Sequence, residues 1–229
     1  MKYKHLFFDL DHTLWDGHRS AAESIAELYN RYNMAQYGIA SAEDLVLAFH
    51  EINYHLWEEF EHKNITIEEL LKTRFELLLA KFGISNNKMA ANLSSDYRVL
   101  QEIKQIYLPY IHEVLSYLQP KYALHVFTNG IDPLSVERKM GGIRHYFCEV
   151  IGTYSSGYFK PHAISFQTAL AKAGAQAEHS LMIGDSQHTD IIGAINMGMD
   201  CVWLNQRKQT ILTQATYEIS CMSELMQLL

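Results

Sequence analysis

The 229-residue chain contains no segment approaching the roughly 20 apolar residues of a membrane span, and no run of lysines or arginines. The first absence excludes a spanning helix. The second, with a formal net charge of −7, leaves no basic surface for a nucleic-acid polymer and no patch for a membrane. Cysteine is scarce: Cys148, Cys201 and Cys221 are odd in number and lie in apolar surroundings, so reduced thiols are expected rather than a disulfide framework or a metal site. The twelve histidines show no metal-ligand spacing. Internal repeats and low-complexity stretches are also missing. The N-terminal Met1-Lys2-Tyr3-Lys4 is positive, but the apolar stretch behind it is cut by Asp9 and Asp11, too soon for a signal-peptide core. A cytoplasmic protein with small-molecule partners is expected, as a monomer or a homodimer. With 48% apolar residues it can bury a core of its own.

The pattern along the chain changes twice. Residues 3–8 read as a strand, and from Ala21 to about Ile106 every periodic segment reads as helix. Ser41-Ala42-Glu43-Asp44 has the capping oxygen and first-turn acids of a helix start, opening an apolar series through Leu47, Phe49, Leu56 and Phe60. Thr66 and Glu69 fit a capping box for a second helix ending near Gly83, with Leu70, Leu71, Phe75, Leu78, Leu79 and Phe82 as its buried stripe. After Pro109, helices at about 110–118, 134–140, 163–173 and 191–197 alternate with strands at 124–127, 149–151, 181–183 and 201–204. That alternation predicts a parallel sheet covered by helices. Residues 1–15 and 97–229 are therefore expected as an α/β core, and 16–96 as an all-helical insert after the first strand.

Chemistry-bearing residues fall in four places, three of them just past a predicted strand and the fourth in the loop before the helix at 163–173. Asp9 and Asp11 follow Leu6-Phe7-Phe8; Thr128-Asn129-Gly130 follows Val126-Phe127; Lys160-Pro161 follows Phe159; Asp185, with Asp190 five residues on, follows Met182-Ile183-Gly184. In an open α/β sheet, the carboxyl ends of the strands are where ligands bind. A carboxylate attacking a phosphate meets like charge, about 4 kcal/mol at ~4 Å and an effective dielectric near 20. A divalent cation cancels that repulsion, and hard oxygen ligands such as Asp9 and Asp185 suit Mg²⁺. Lys160 adds a fixed positive charge for phosphoryl oxygens, while Thr128 and the backbone amides of Asn129 and Gly130 add neutral donors. The acid nearest the strand can attack, and the one two residues on can reach the leaving-group oxygen as general acid and later activate water.

These segments resemble the haloacid dehalogenase-like hydrolase superfamily, whose four motifs match Asp9, Asp11 and Thr13; Thr128; Lys160; and Gly184, Asp185 and Asp190, in the expected order. The resemblance implies a doubly wound, Rossmann-like parallel sheet with an inserted helical cap. It also implies that Asp9 forms an aspartyl-phosphate, and that Asp11 is the acid and base and lends its carbonyl to Mg²⁺. Asp185 would ligate the metal, with Asp190 supporting it. An acid at Asp11 sides with the family's phosphatases, since dehalogenases release halide and need no proton there.

The segments Phe127–Gly130, Glu137-Arg138 and Gly184 through Asn205, with Leu56-Trp57 and Arg74-Phe75, are similar to the bacterial pyrimidine 5′-nucleotidase subgroup. That likeness implies a nucleoside monophosphate substrate selected by the cap through Trp57 and Arg74, although Trp57, Arg74 and Phe75 read more readily as packing within the cap and a solvated charge. A sugar-phosphate or phosphoglycolate-type phosphatase is the alternative within enzymes. A non-catalytic phospho-ligand-binding protein is the alternative outside them, and the presence of Asp9, Asp11 and Lys160 speaks against it. His12 departs from the family, where many relatives carry glycine.

Overall fold

The computed structural model describes residues 2–61 and 64–229. They divide into two compact units: Met1–Gly17 with Gln105–Leu229, and His18–Lys104. The strands are β1 (His5–Phe8), β2 (Ala123–Phe127), β3 (Glu149–Ile151), β4 (Ser180–Gly184), β5 (Asp200–Leu204) and β6 (Tyr217–Ile219). The helices are α1 (Gly17–Arg31), α2 (Ala42–Glu61), α3 (Ile67–Lys81), α4 (Asn87–Ile103), α5 (Ile111–Leu118), α6 (Pro133–Lys139), α7 (Thr153–Ser156), α8 (Ala163–Ala173), α9 (Ile192–Asn196) and α10 (Leu225–Leu228). Among the described residues, no helix is long and apolar enough to cross a membrane.

In the α/β unit all strands are parallel, in the order β3-β2-β1-β4-β5-β6. The two-residue side-chain period of a strand explains both of its cores. Leu6 and Phe8 join Leu124, Val126, Leu181, Ile183 and Val202 on one face, against Ile111, Val114, Leu115 and Leu118 of α5. Phe7 joins Phe127, Met182, Cys201 and Trp203 on the other, against Phe166 and Ala169 of α8 and Ala194 of α9. With helices on both faces the sheet is doubly wound, and its strands read as nearly continuous apolar runs because neither side meets water. His125 is the exception within β2. It is buried between the rings of Phe7 and His5, and burial pulls its imidazole down to about 4, so it stays neutral near pH 7. Phe8 pairs with Val126 on one side and Ile183 on the other, so the strand order reverses around β1 and a crevice opens at its C-terminal end. The edge strand β6 is not among the strands expected from sequence. Three residues, Tyr217-Glu218-Ile219, are too short to show a period.

The helical unit starts its helices where the sequence offers caps. The Asp44 amide donates to Ser41 Oγ at 3.1 Å. Thr66 and Glu69 form the capping box, at 3.2 Å and 2.8 Å. Its core gathers Ile25, Leu28, Leu45, Phe49, Phe75, Leu78, Leu79, Leu93 and Tyr97. Two expected stripe positions are corrected. Leu47 is 69% exposed and Leu71 38%. The buried face of α2 runs through Leu45, Phe49 and Leu56, and Leu47, two residues from Leu45, points away from it. The expected boundary at 96/97 also moves: α4 runs unbroken from Asn87 to Ile103, so the units part at Lys104.

Candidate active site

Asp9 is the first residue beyond β1 and keeps to the ladder, its amide donating to Ile183 O at 2.9 Å. This fixes its backbone at the crevice, and its side chain is buried. Lys160, in the loop before α8, is buried with it. Its ammonium donates to Asp9 Oδ1, Asp190 Oδ1 and Phe127 O, each at 2.7 Å, which uses all three of its donors. Asn129 holds the lysine's main chain in place, accepting from Lys160 N at 2.7 Å and donating to Lys160 O at 3.3 Å. The Asn129 side chain is thus committed to Lys160, and any donation to phosphate rests on its backbone amide. Thr128 is buried beyond β2, and its hydroxyl accepts from Gly130 N at 3.1 Å. Two groups expected as separate phosphate donors therefore meet each other, and the threonine's own proton remains to be given.

Asp185 follows β4. Its carbonyl takes the Trp203 indole N–H at 2.9 Å, and Thr13 Oγ1 reaches its carboxylate at 3.4 Å. A π-turn at Gln187–Ile191 then returns the chain so that Asp190, fully buried, accepts from Ser186 N at 3.1 Å. Gly184 permits this approach: a Cβ there would lie 2.1 Å from Asp190 Oδ2. Carboxylate oxygens of Asp9, Asp185 and Asp190 lie within 4.8 Å of one another.

Three carboxylates around one ammonium leave two negative charges uncompensated in a buried site. Burial, more than the Lys160 charge can offset and with Asp190 adding to it, pushes the Asp9 carboxyl up to about 7. Burial and the neighbouring Asp9 and Asp190 push Asp185 well above the usual carboxylate range. Lys160 is pulled down by burial but held above its ordinary value by Asp190 and Asp9. The donor set is all hard oxygen and short by two positive charges, which fits Mg²⁺.

Asp11 is more open, and its carboxylate takes the Lys139 ammonium at 2.6 Å. Burial raises the Asp11 carboxyl, but the charge and hydrogen bond of Lys139, with His12 and Lys160 adding to them, together outweigh it and the net shift is downward. Glu137 and Arg138 of α6 stand out in the sequence, yet Lys139 is the residue that reaches the site. Its partner is 128 positions earlier, so no local pattern marks it. His12 adopts φ +66°, a left-handed backbone that favours glycine, which accounts for the glycine expected there.

In the helical unit, Trp57 is 39% exposed, its ring edge-to-face with Phe60 at 5.6 Å between centres. Arg74 does not match its expected role as a substrate contact. It is buried, donates to Asn53 Oδ1 at 3.0 Å, and its guanidinium lies 4.8 Å from the Tyr97 ring centre and 5.4 Å from those of Phe49 and Phe75. It belongs to that unit's core.

Residues 3–198 match the family model of haloacid dehalogenase-like hydrolases. Pyrimidine 5′-nucleotidase PynA of Streptococcus pneumoniae is 32% identical over all of this chain and 96% of its own length. Pyrimidine 5′-nucleotidase YjjG of Escherichia coli is 28% identical over all of this chain and 99% of its own. The crystal structure of the hydrolase YfnB of Bacillus subtilis, bound to magnesium, superposes with a TM-score of 0.90 at 28% identity and covers 100% of this chain and 99% of that one. The chain therefore belongs to the haloacid dehalogenase-like hydrolases, as a phosphatase of that family.

Proposed function

We propose that the chain is a Mg²⁺-dependent phosphomonoesterase that works through a phosphoryl group carried on Asp9 and acts on nucleoside 5′-monophosphates. The observation that carries this reading is the buried cluster at the crevice, in which Asp9 shares Lys160 with Asp190 and lies beside Asp185. Carboxylates of Asp9 and Asp185 would hold Mg²⁺, with the carbonyl of Asp11 and Asp190 close by, and the cation would neutralise charge between the attacking carboxylate and the phosphoryl oxygens.

The chain's own residues divide the chemistry. An Asp9 carboxylate oxygen attacks phosphorus while the bond to the leaving oxygen breaks, and Asp11, which must be protonated in the substrate complex against the pull of Lys139, gives its proton to that oxygen. Asp11 then takes a proton from water, whose oxygen attacks phosphorus and breaks the bond to Asp9, releasing inorganic phosphate. Lys160, its three donors held by Asp9, Asp190 and Phe127, orients Asp9 and brings a fixed positive charge beside the phosphoryl group, while the Thr128 hydroxyl offers a donor to the phosphoryl oxygens. The two full-length nucleotidase relatives support the choice of substrate class. Selection among esters is assigned to the helical unit, where Trp57 is one of the exposed aromatics, beside Tyr37 and Tyr54.

A screen of phosphate monoesters with purified protein and Mg²⁺ tests both levels. The expected result is the highest kcat/KM on nucleoside 5′-monophosphates. A higher value on a sugar phosphate or phosphoglycolate overturns the nucleotidase assignment, and no phosphate release from any ester overturns the reading of the site.

A further inference from the structure

We infer that Lys139 is a positioning residue for proton transfer: its ammonium aims the Asp11 carboxylate at the leaving-group oxygen. The inference rests on the reading of Asp11 as acid and base. Asp11 stands past the end of β1 on a turn, where its backbone bridges to Trp15 and the following amide, His12 N, donates to Trp15 O at 2.8 Å. A side chain on such a turn, 37% exposed, has rotamers to choose from. Lys139 removes that choice by gripping the turn at two points. Its ammonium donates to Asp11 Oδ1 at 2.6 Å and lies 4.1 Å from the centre of the Trp15 ring.

A lysine on a free stem could not hold anything in place, and this one is anchored. It is the last residue of α6, and its carbonyl accepts from the Tyr107 hydroxyl at 3.1 Å. That hydroxyl in turn accepts from Gly142 N at 3.0 Å, while the Tyr107 backbone bridges to Trp15. Asp11, Trp15, Tyr107 and Lys139 thus close a ring of contacts that ends on the Asp11 carboxylate. A proton donor must meet its acceptor within hydrogen-bond reach, and a displacement of about 1 Å can cost on the order of 10²-fold in rate.

The test compares K139M, K139R and D11N in single-turnover release of the leaving group, from an alkyl phosphate and from p-nitrophenyl phosphate. Methionine keeps the stem against Trp15 and removes the charge. K139M is expected to lose ~10–100-fold on the alkyl ester, severalfold less on the nitrophenyl ester whose leaving group needs no proton, and little in KM. K139R is expected to restore most of the rate, and K139M/D11N to be no slower on the alkyl ester than D11N alone. Equal losses on both esters for K139M, or no loss on the alkyl ester, while D11N retains the split, overturn the role of Lys139 alone. A D11N variant that distinguishes neither ester overturns the acid assignment and the inference with it.

Discussion

Burial, with Asp190 and Asp11 adding to it, outweighs the Lys160 ammonium at 2.7 Å and raises the Asp9 carboxyl, so its charge is unwelcome in the fold. Asp9→Asn keeps the size and an oxygen for Lys160 but removes the nucleophile, since a neutral amide does not attack phosphorus. Turnover is expected to fall to background with the melting temperature undiminished, read by phosphate release and circular dichroism on one preparation. Appreciable activity in the folded variant would displace Asp9 from its role. At this scale the reacting acids are legible in the sequence because each follows an apolar run that can only be a buried strand. The residues that hold them are not. Asn129 grips Lys160 from 31 positions away and Lys139 grips Asp11 from 128, separations at which sequence carries no pairing signal.

At the scale of elements, type and order are legible where periodicity is long. The strands Ala123–Phe127 and Ser180–Gly184 and the helix Ala163–Ala173 fall within a residue of expectation. Which face of a helix is buried is less legible, and α3 shows why. Arg74 reads from sequence as a charge for solvent or substrate, yet it lies inside the helical unit because its stem packs and three aromatic faces accept its guanidinium. Burial pulls Arg74 below its ordinary value, so the unit holds this charge at some cost in desolvation. Arg74→Ala, which removes both the packing and the Asn53 bond, is expected to destabilise the helical unit by roughly 2–4 kcal/mol. Arg74→Met, which keeps most of the volume, should cost less than half of that. Denaturant midpoints of the two variants check the order. A midpoint unchanged in Arg74→Ala, together with an altered ranking of substrates, would return Arg74 to the substrate.

For the whole molecule, the layout of one short strand, a helical run and then strand–helix alternation is legible because the period of the pattern changes. The boundary at Lys104 is hidden because α4 continues past 97 with no proline or glycine to mark an end. The charge balance of the site likewise emerges only from the fold, which brings positions 9, 185 and 190 within 4.8 Å around Lys160. Two uncompensated negative charges held by the native state, and scattered in the unfolded chain, should couple cation binding to stability. Mg²⁺ at about 100 times its dissociation constant is expected to add ~2.7 kcal/mol, a rise in melting temperature of roughly 5–10 °C for a chain of this size. Asp185→Asn should abolish most of that rise while raising or preserving the melting temperature without metal, because it removes a carboxylate whose charge burial disfavours. Activity should follow the same cation: EDTA should silence the enzyme, and Mg²⁺ or Mn²⁺ should restore it. Ca²⁺ should do so poorly, because its larger and more flexible ligand shell does not hold the attacking oxygen in line. Thermal melts with and without Mg²⁺, run beside the activity assay, separate the two claims. A melting temperature indifferent to Mg²⁺ in the wild-type chain would mean that the acidic cluster neutralises itself by taking up protons, and would remove the electrostatic basis for a metal at this site.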